Sequence, residues 1–257
     1  MCLITFAYQV HPDYDLILVG NRDEFFARPT RALHEWKDQP IIAGKDLKAG
    51  GTWLGIHPAE GRLAALTNYR DLSASKSQAP SRGELPLDFL KGKKSPSEYV
   101  KYLQEKANKY HGFNMLVYAV GQVGYVSNYA SKPSILNPGV YGISNALLDT
   151  PWPKLKSAKS KLQEAIKVKE LEADSLITLL TDDTRVKDPA KLPKTGVPTA
   201  VEEALSAEFI RMEGYGTVSS TVVLWGKDGQ VTLLERSYAA DPNIYQDQKL
   251  IFQHSSR

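Results

Sequence analysis

Apolar side chains crowd both faces of the chain from its start. Over residues 3–10, Ile4, Phe6 and Tyr8 share a face with Cys2, while Leu3 and Ala7 occupy the other. A strand that is apolar on both sides lies between layers, not at an edge. A turn at His11-Pro12-Asp13 leads into a second strand over 15–20, after which the segment NRDEFFARPT becomes polar. The glycine-bearing turn Ala49-Gly50-Gly51-Thr52 precedes two short strands, 53–57 and 62–69. The serine-rich stretch 71–83 reads as a mobile loop.

Helical spacing begins at Ser95-Pro96-Ser97-Glu98, a capping-box pattern with proline at the first helical position. Val100, Leu103, Ala107 and Tyr110 then recur on one face. Strands return at 114–120, 124–129 and 140–144. Leu155, Ala158, Leu162 and Ala165 mark a second amphipathic helix, and 175–180 a third. Pro189, Pro193 and Pro198 make 182–198 an irregular excursion. A hairpin closes the pattern, 217–225 with 230–237, turned at Lys227-Asp228-Gly229. Strands, then helices, then strands predict an α+β protein whose first and last strands share a core. No composition break or internal period divides 1–257, so one domain is expected.

Composition narrows the function. With 42% hydrophobic and 24% charged residues the chain can bury a core, which excludes wholesale disorder. Lys and Arg number 32 against 29 Asp and Glu, a net charge of +3 with no basic block. That balance argues against a nucleic-acid partner. No apolar run reaches the ~18 residues of a membrane span. The start lacks a basic region and a small-residue cleavage site, so a cytoplasmic protein is expected. The five histidines (His11, His34, His57, His111 and His254) are scattered, and no metal site is expected. Trp36, Trp53 and Trp152 are candidates to line an apolar pocket. The oligomeric state is left open.

The single cysteine, Cys2, excludes an intrachain disulfide. Its position suggests more. Removal of Met1 would leave a free α-amine on the residue that bears the thiol. Such an amine, with pKa ~7.7–8.0, can take the thiol proton and later return it to a leaving group. Read blandly, Cys2 is a small buried apolar residue. Arg22 and Asp23 are adjacent, so in extended backbone they face opposite sides and need different partners. Asp23 suits an α-ammonium; Arg22 suits a thiolate or a carboxylate.

Five blocks occur in order: MCLITFAYQ, GNRDEFFARPT, GGTWLGIHPAEGRLAALTNYR, YGISNALLDTPWPKL and GTVSSTVVLWGKDGQVTLLERSY. Together they resemble the NRDE family, to about residue 239. That family is in turn similar to the N-terminal nucleophile hydrolases of the bile acid hydrolase and penicillin V acylase branch. The resemblance implies a four-layer α-β-β-α sandwich. It implies a catalytic cysteine at Cys2, an arginine and aspartate at Arg22 and Asp23, and site asparagines at Asn68 and Asn145. In those hydrolases the arginine and aspartate stand a few residues apart, and a late arginine has no counterpart here; Val218 and Ser219 occupy the corresponding stretch. The implied activity is an amidohydrolase or thioesterase acting on a small acyl compound, with no cofactor. The alternative is a non-catalytic carrier of haem or of acyl-CoA and lipid-like ligands in the same cleft, with a histidine, tyrosine or Cys2 on the iron.

Overall fold

The computed structural model describes residues 2–71, 79–239 and 241–254. The chain opens with an antiparallel pair, β1 (Cys2–Tyr8) and β2 (Tyr14–Phe25). A meander follows: β3 (Thr30–Glu35), β4 (Ile42–Asp46), β5 (Leu54–His57) and β6 (Arg62–Asn68). Helices α1 (Glu84–Lys91) and α2 (Pro96–Lys106) lead to the hairpin of β7 (Phe113–Ala119) and β8 (Gln122–Ser127), then to short β9 (Ser134–Ile135). Next come β10 (Gly139–Ile143), α3 (Pro153–Ala165), α4 (Ala173–Leu176) and α5 (Thr199–Ala204). The last strands are β11 (Arg211–Met212), β12 (Tyr215–Gly226), β13 (Gln230–Tyr238) and β14 (Tyr245–Gln253).

Two antiparallel sheets result. One has the order β10-β1-β2-β12-β13-β14, with β11 on the end of β12; the other runs β3 to β9 in sequence. Three apolar clusters show how they are stacked. Ile4, Phe6, Leu16 and Leu18 of the first sheet meet Leu54, Ile56, Leu63 and Leu116 of the second. On the outer face of the first sheet, Leu3, Ile17 and Val19 pack against Leu155, Ala158 and Leu162 of α3 and Leu176 of α4. Outside the second, Ala64, Met115 and Val117 pack against Phe89 and Leu90 of α1 and Val100 and Leu103 of α2. The protein is therefore mixed α+β, two antiparallel sheets face to face with helices on both outer sides. The two-sided apolarity of β1 has its cause here, since its alternate residues serve the inter-sheet core and the α3 core.

Several boundaries differ from the sequence expectation. β1 stops at Tyr8 because Gln9 takes a positive φ of 51°. β2 does not end at Gly20 but continues through Asn21-Arg22-Asp23-Glu24, because β1 and β12 pair with it on both edges. The predicted third helix shortens to α4 and turns. α1, β3, β4 and β14 arise where no element was expected. The excursion 182–198 holds one short 3₁₀ turn, Pro189–Lys191. Of the predicted loop 71–83, residues 72–78 lie outside the described residues, and Ala79 to Arg82 border the cleft described below. Among the described residues no helix is long and apolar enough to cross a membrane.

Candidate active site

A cleft of about 900 Å³ lies where β1 begins and β2 and β6 end. Cys2, Arg22, Asp23 and Asn68 all border it, so three strands from two sheets bring four of the five sequence candidates together. Cys2 and Arg22 are direct cross-strand partners and rise on the same face, toward the opposite sheet. The Arg22 guanidinium is buried, donates from Nη1 to Thr30 Oγ1 at 3.3 Å and stands 3.8 Å from Glu24 Oε2. The backbone N–H of Asp23 donates to the thiol, but burial is the stronger influence and pushes the Cys2 thiol up.

Asp23 is also buried. Its Oδ1 accepts from Thr217 Oγ1 at 2.8 Å, and that hydroxyl in turn accepts the Ile210 N–H at 2.9 Å. Burial raises the Asp23 carboxyl, opposed in part by the buried Lys154 ammonium. Lys154 donates to the Leu205 carbonyl at 2.9 Å, and burial pulls it down to about 8. A bulge in β12 between Thr217 and Ser219 lets both residues pair with the consecutive Asp23 and Arg22, leaving Val218 extra on the cleft wall. Asn21 has a different task. Its Nδ2 donates to the Leu180 and Glu208 carbonyls at 2.8 and 3.0 Å, and its Oδ1 accepts from Ser220 at 2.7 Å.

Asn145 is buried behind the wall, not on it. Its Nδ2 donates to the Asn68 carbonyl at 3.0 Å, while its Oδ1 has no hydrogen-bond partner among the described residues. The Arg70 N–H to Asn145 O bond at 2.8 Å and the Thr67 hydroxyl to Ser144 O bond at 2.7 Å tie the end of β6 to the end of β10. Ile4 faces Ile143 across β1 and β10, and each step along one strand is a step back along the other. Beyond this last pair, Cys2 and Asn145 each stand two residues on, at the adjoining ends of β1 and β10.

A family model for Transport and Golgi organisation 2 matches residues 1–240, from the cysteine strand through the cleft-lining end of β13. The chain belongs to that family. Relatives include a Transport and Golgi organization protein 2 homolog of Bos taurus, 37% identical over 96% of both chains. The Homo sapiens homolog is 38% identical over 92% of this chain and 93% of its own. The Drosophila melanogaster protein is 29% identical over 95% and 94%. In this member of the Transport and Golgi organisation 2 family, the NRDE segment has three different fates: Asn21 stitches the outer loops, Arg22 and Glu24 pair near the thiol, and Asp23 is within electrostatic reach of both the thiol and Lys154.

Three functional candidates escaped the sequence reading. Glu235 borders the cleft, and its Oε1 accepts the Leu33 N–H at 2.7 Å; burial raises its carboxyl. Arg82 reaches the cleft from the segment taken as a loop. Lys154 had a signal, because it falls on the same helical face as Ala158 and Leu162. Of the three tryptophans, Trp53 borders the cleft. Trp36 donates to Ala43 O in the outer core, and Trp152 lies under Arg70 at 5.0 Å.

Proposed function

We propose that the cleft performs acyl transfer to water in the manner of an N-terminal nucleophile hydrolase, on an amide or thioester of a small acyl compound. The observation that carries the reading is the convergence of Cys2, Arg22, Asp23 and Asn68 on one cleft. The stacking of two sheets between helices accords with the fold such enzymes use.

In the working form Met1 is gone and Cys2 carries the α-amine. The amine takes the thiol proton, and Sγ attacks the carbonyl carbon, forming a C–S bond while the carbonyl electron pair moves to oxygen. Asn68 on the wall supplies a donor to that oxyanion. Collapse breaks the bond to the amine or thiol leaving group, which takes the proton from the α-ammonium. Water, deprotonated by the same amine, then cleaves the thioester and restores the Cys2 thiol. Asp23 and the orphaned Oδ1 of Asn145 hold the ammonium, which gives that buried amide oxygen a donor. The Arg22 guanidinium opposite Cys2 favours the thiolate against the burial that disfavours it.

The rival reading, carriage of haem or of acyl-CoA and lipid-like ligands, has one observation behind it: of the five histidines only His111 borders the cleft. Cys2→Ser separates the two. Hydrolysis predicts that turnover of acyl thioesters falls at least ~100-fold with an unchanged melting temperature. Unchanged turnover removes Cys2 from the chemistry, and haem binding lost in His111→Ala would establish the carrier.

A further inference from the structure

Four acidic side chains border the cleft, Asp23, Glu24, Asp46 and Glu235, and each is engaged without Arg82. Asp46 is paired to Arg28 at 2.7 Å; Glu24 lies 3.7 Å from Arg28 and 3.8 Å from Arg22. Asp23 accepts from Thr217, and Glu235 from the Leu33 N–H. Arg82 donates one hydrogen bond from Nη1, to the Gly112 carbonyl at 2.8 Å, and stands in no ion pair with an acidic side chain among the described residues. The residues outside the described set (1, 72–78, 240 and 255–257) contain no Asp or Glu, so they hold no side-chain carboxylate for it either.

The guanidinium is partly shielded from water, which works against its charge, and no carboxylate is paired with it. Its place is fixed by backbone. The Gly83 carbonyl, next in the chain, accepts the Thr52 N–H at 3.1 Å, and Gly83 lies so close to Gly51 that a Cβ on Gly51 would not fit. The Gly112 bond and this anchored backbone place the fork beside the cleft, with the Cys2 thiol within its electrostatic reach. A planar fork of donors matches a carboxylate or a phosphate.

We propose that Arg82 docks an anionic group of the acyl substrate, a carboxylate or a phosphate, and thereby sets the specificity of the cleft; the inference rests on the acyl-transfer reading above. Two matched pairs of thioesters test it and separate the sources of charge. One pair is the succinyl thioester of N-acetylcysteamine and its methyl ester, with charge on the acyl side. The other is the butyryl thioester of mercaptoethyl phosphate and that of mercaptoethanol, with charge on the leaving side.

Wild-type protein favours the charged member of at least one pair by about 10- to 100-fold in kcat/KM. Arg82→Met brings the charged and neutral members of the pair together by raising KM for the charged one, and Arg82→Lys restores part of the difference. A wild type indifferent to charge overturns the proposal. So does an Arg82→Met variant in which charged and neutral probes fall alike, because the arginine then serves the thiol. If wild type turns over none of the probes, acyl transfer is lost, and calorimetric titration of Cys2→Ala decides the anion site separately. Arg82-dependent binding of a charged probe sustains it; equal binding of charged and neutral probes to Cys2→Ala and to Cys2→Ala with Arg82→Met refutes it.

Discussion

Gly51 and Gly50 are adjacent glycines with opposite reasons to be glycine, and alanine distinguishes them. A Cβ on Gly51 would lie 2.4 Å from both C and O of Gly83 and 2.8 Å from its Cα, roughly an ångström inside ordinary contact, and all three are backbone atoms. The Gly83 segment must retreat, which breaks the Thr52 N–H to Gly83 O bond. The bond is worth about 1 kcal/mol and the overpacking about 1–3 kcal/mol. A gain of about 0.5 kcal/mol from the stiffer unfolded chain offsets part, leaving a net cost of about 1.5–3.5 kcal/mol. For a chain of this size that is a drop of about 3–14 °C in Tm. Gly50 meets nothing within 4 Å but has φ of +76°, so alanine there costs about 1 kcal/mol and about 2–4 °C. Thermal melts followed by circular dichroism measure both. Gly51→Ala melting at or above Gly50→Ala would refute the close approach that fixes Arg82, and with it the rigidity of that wall.

Three further outcomes follow from the same geometry. Asn21→Ala removes three buried hydrogen bonds and costs about 3–5 kcal/mol in urea denaturation; a loss under 1 kcal/mol would mean the NRDE asparagine is not the stitch between the Leu180 and Glu208 loops. Folded Lys154 releases its proton near 8 whereas the unfolded side chain keeps it to 10.5, so the buried ammonium weakens the fold below pH 8 and the penalty fades as pH rises toward 10. Lys154→Met accordingly melts about 2–6 °C above wild type at pH 7, with the gap closing by pH 10, and an equal gap at both values contradicts the burial argument. Ser95→Ala deletes a capping box in which the Glu98 N–H reaches Ser95 Oγ at 3.3 Å and the Ser95 N–H reaches Glu98 Oε2 at 2.8 Å. It lowers Tm by about 2–4 °C, and an unshifted melt would deny the cap any role.

Much of the layering was legible where pattern and pairing agree. β1 announced its two buried faces, the Lys227-Asp228-Gly229 turn announced the closing hairpin, and Ser95 announced α2. α1 was hidden because a proline stands in its first turn and a serine-rich stretch precedes it. β14 was hidden because an edge strand exposed along nearly its whole length carries no alternating apolar face; the partner β13 supplies its order. The continuation of β2 past Gly20 was not legible, since nothing local shows that two neighbouring strands take up the backbone groups of its charged residues. At the cleft, Cys2, Arg22, Asp23 and Asn68 were legible through ordered blocks that resemble a family. Arg82 and Glu235 were not, because their partners Gly112 and Leu33 lie 30 and 202 residues away.

The central claim is that a Cys2 freed of Met1 forms a covalent acyl intermediate. Intact-mass spectrometry of the protein as purified, and again seconds after mixing with an acyl thioester, tests it most directly. The account predicts a chain lacking Met1 that gains one acyl group, located on Cys2 by peptide mapping and lost on standing in water. Met1 retained at full occupancy in protein that still turns the thioester over would contradict it.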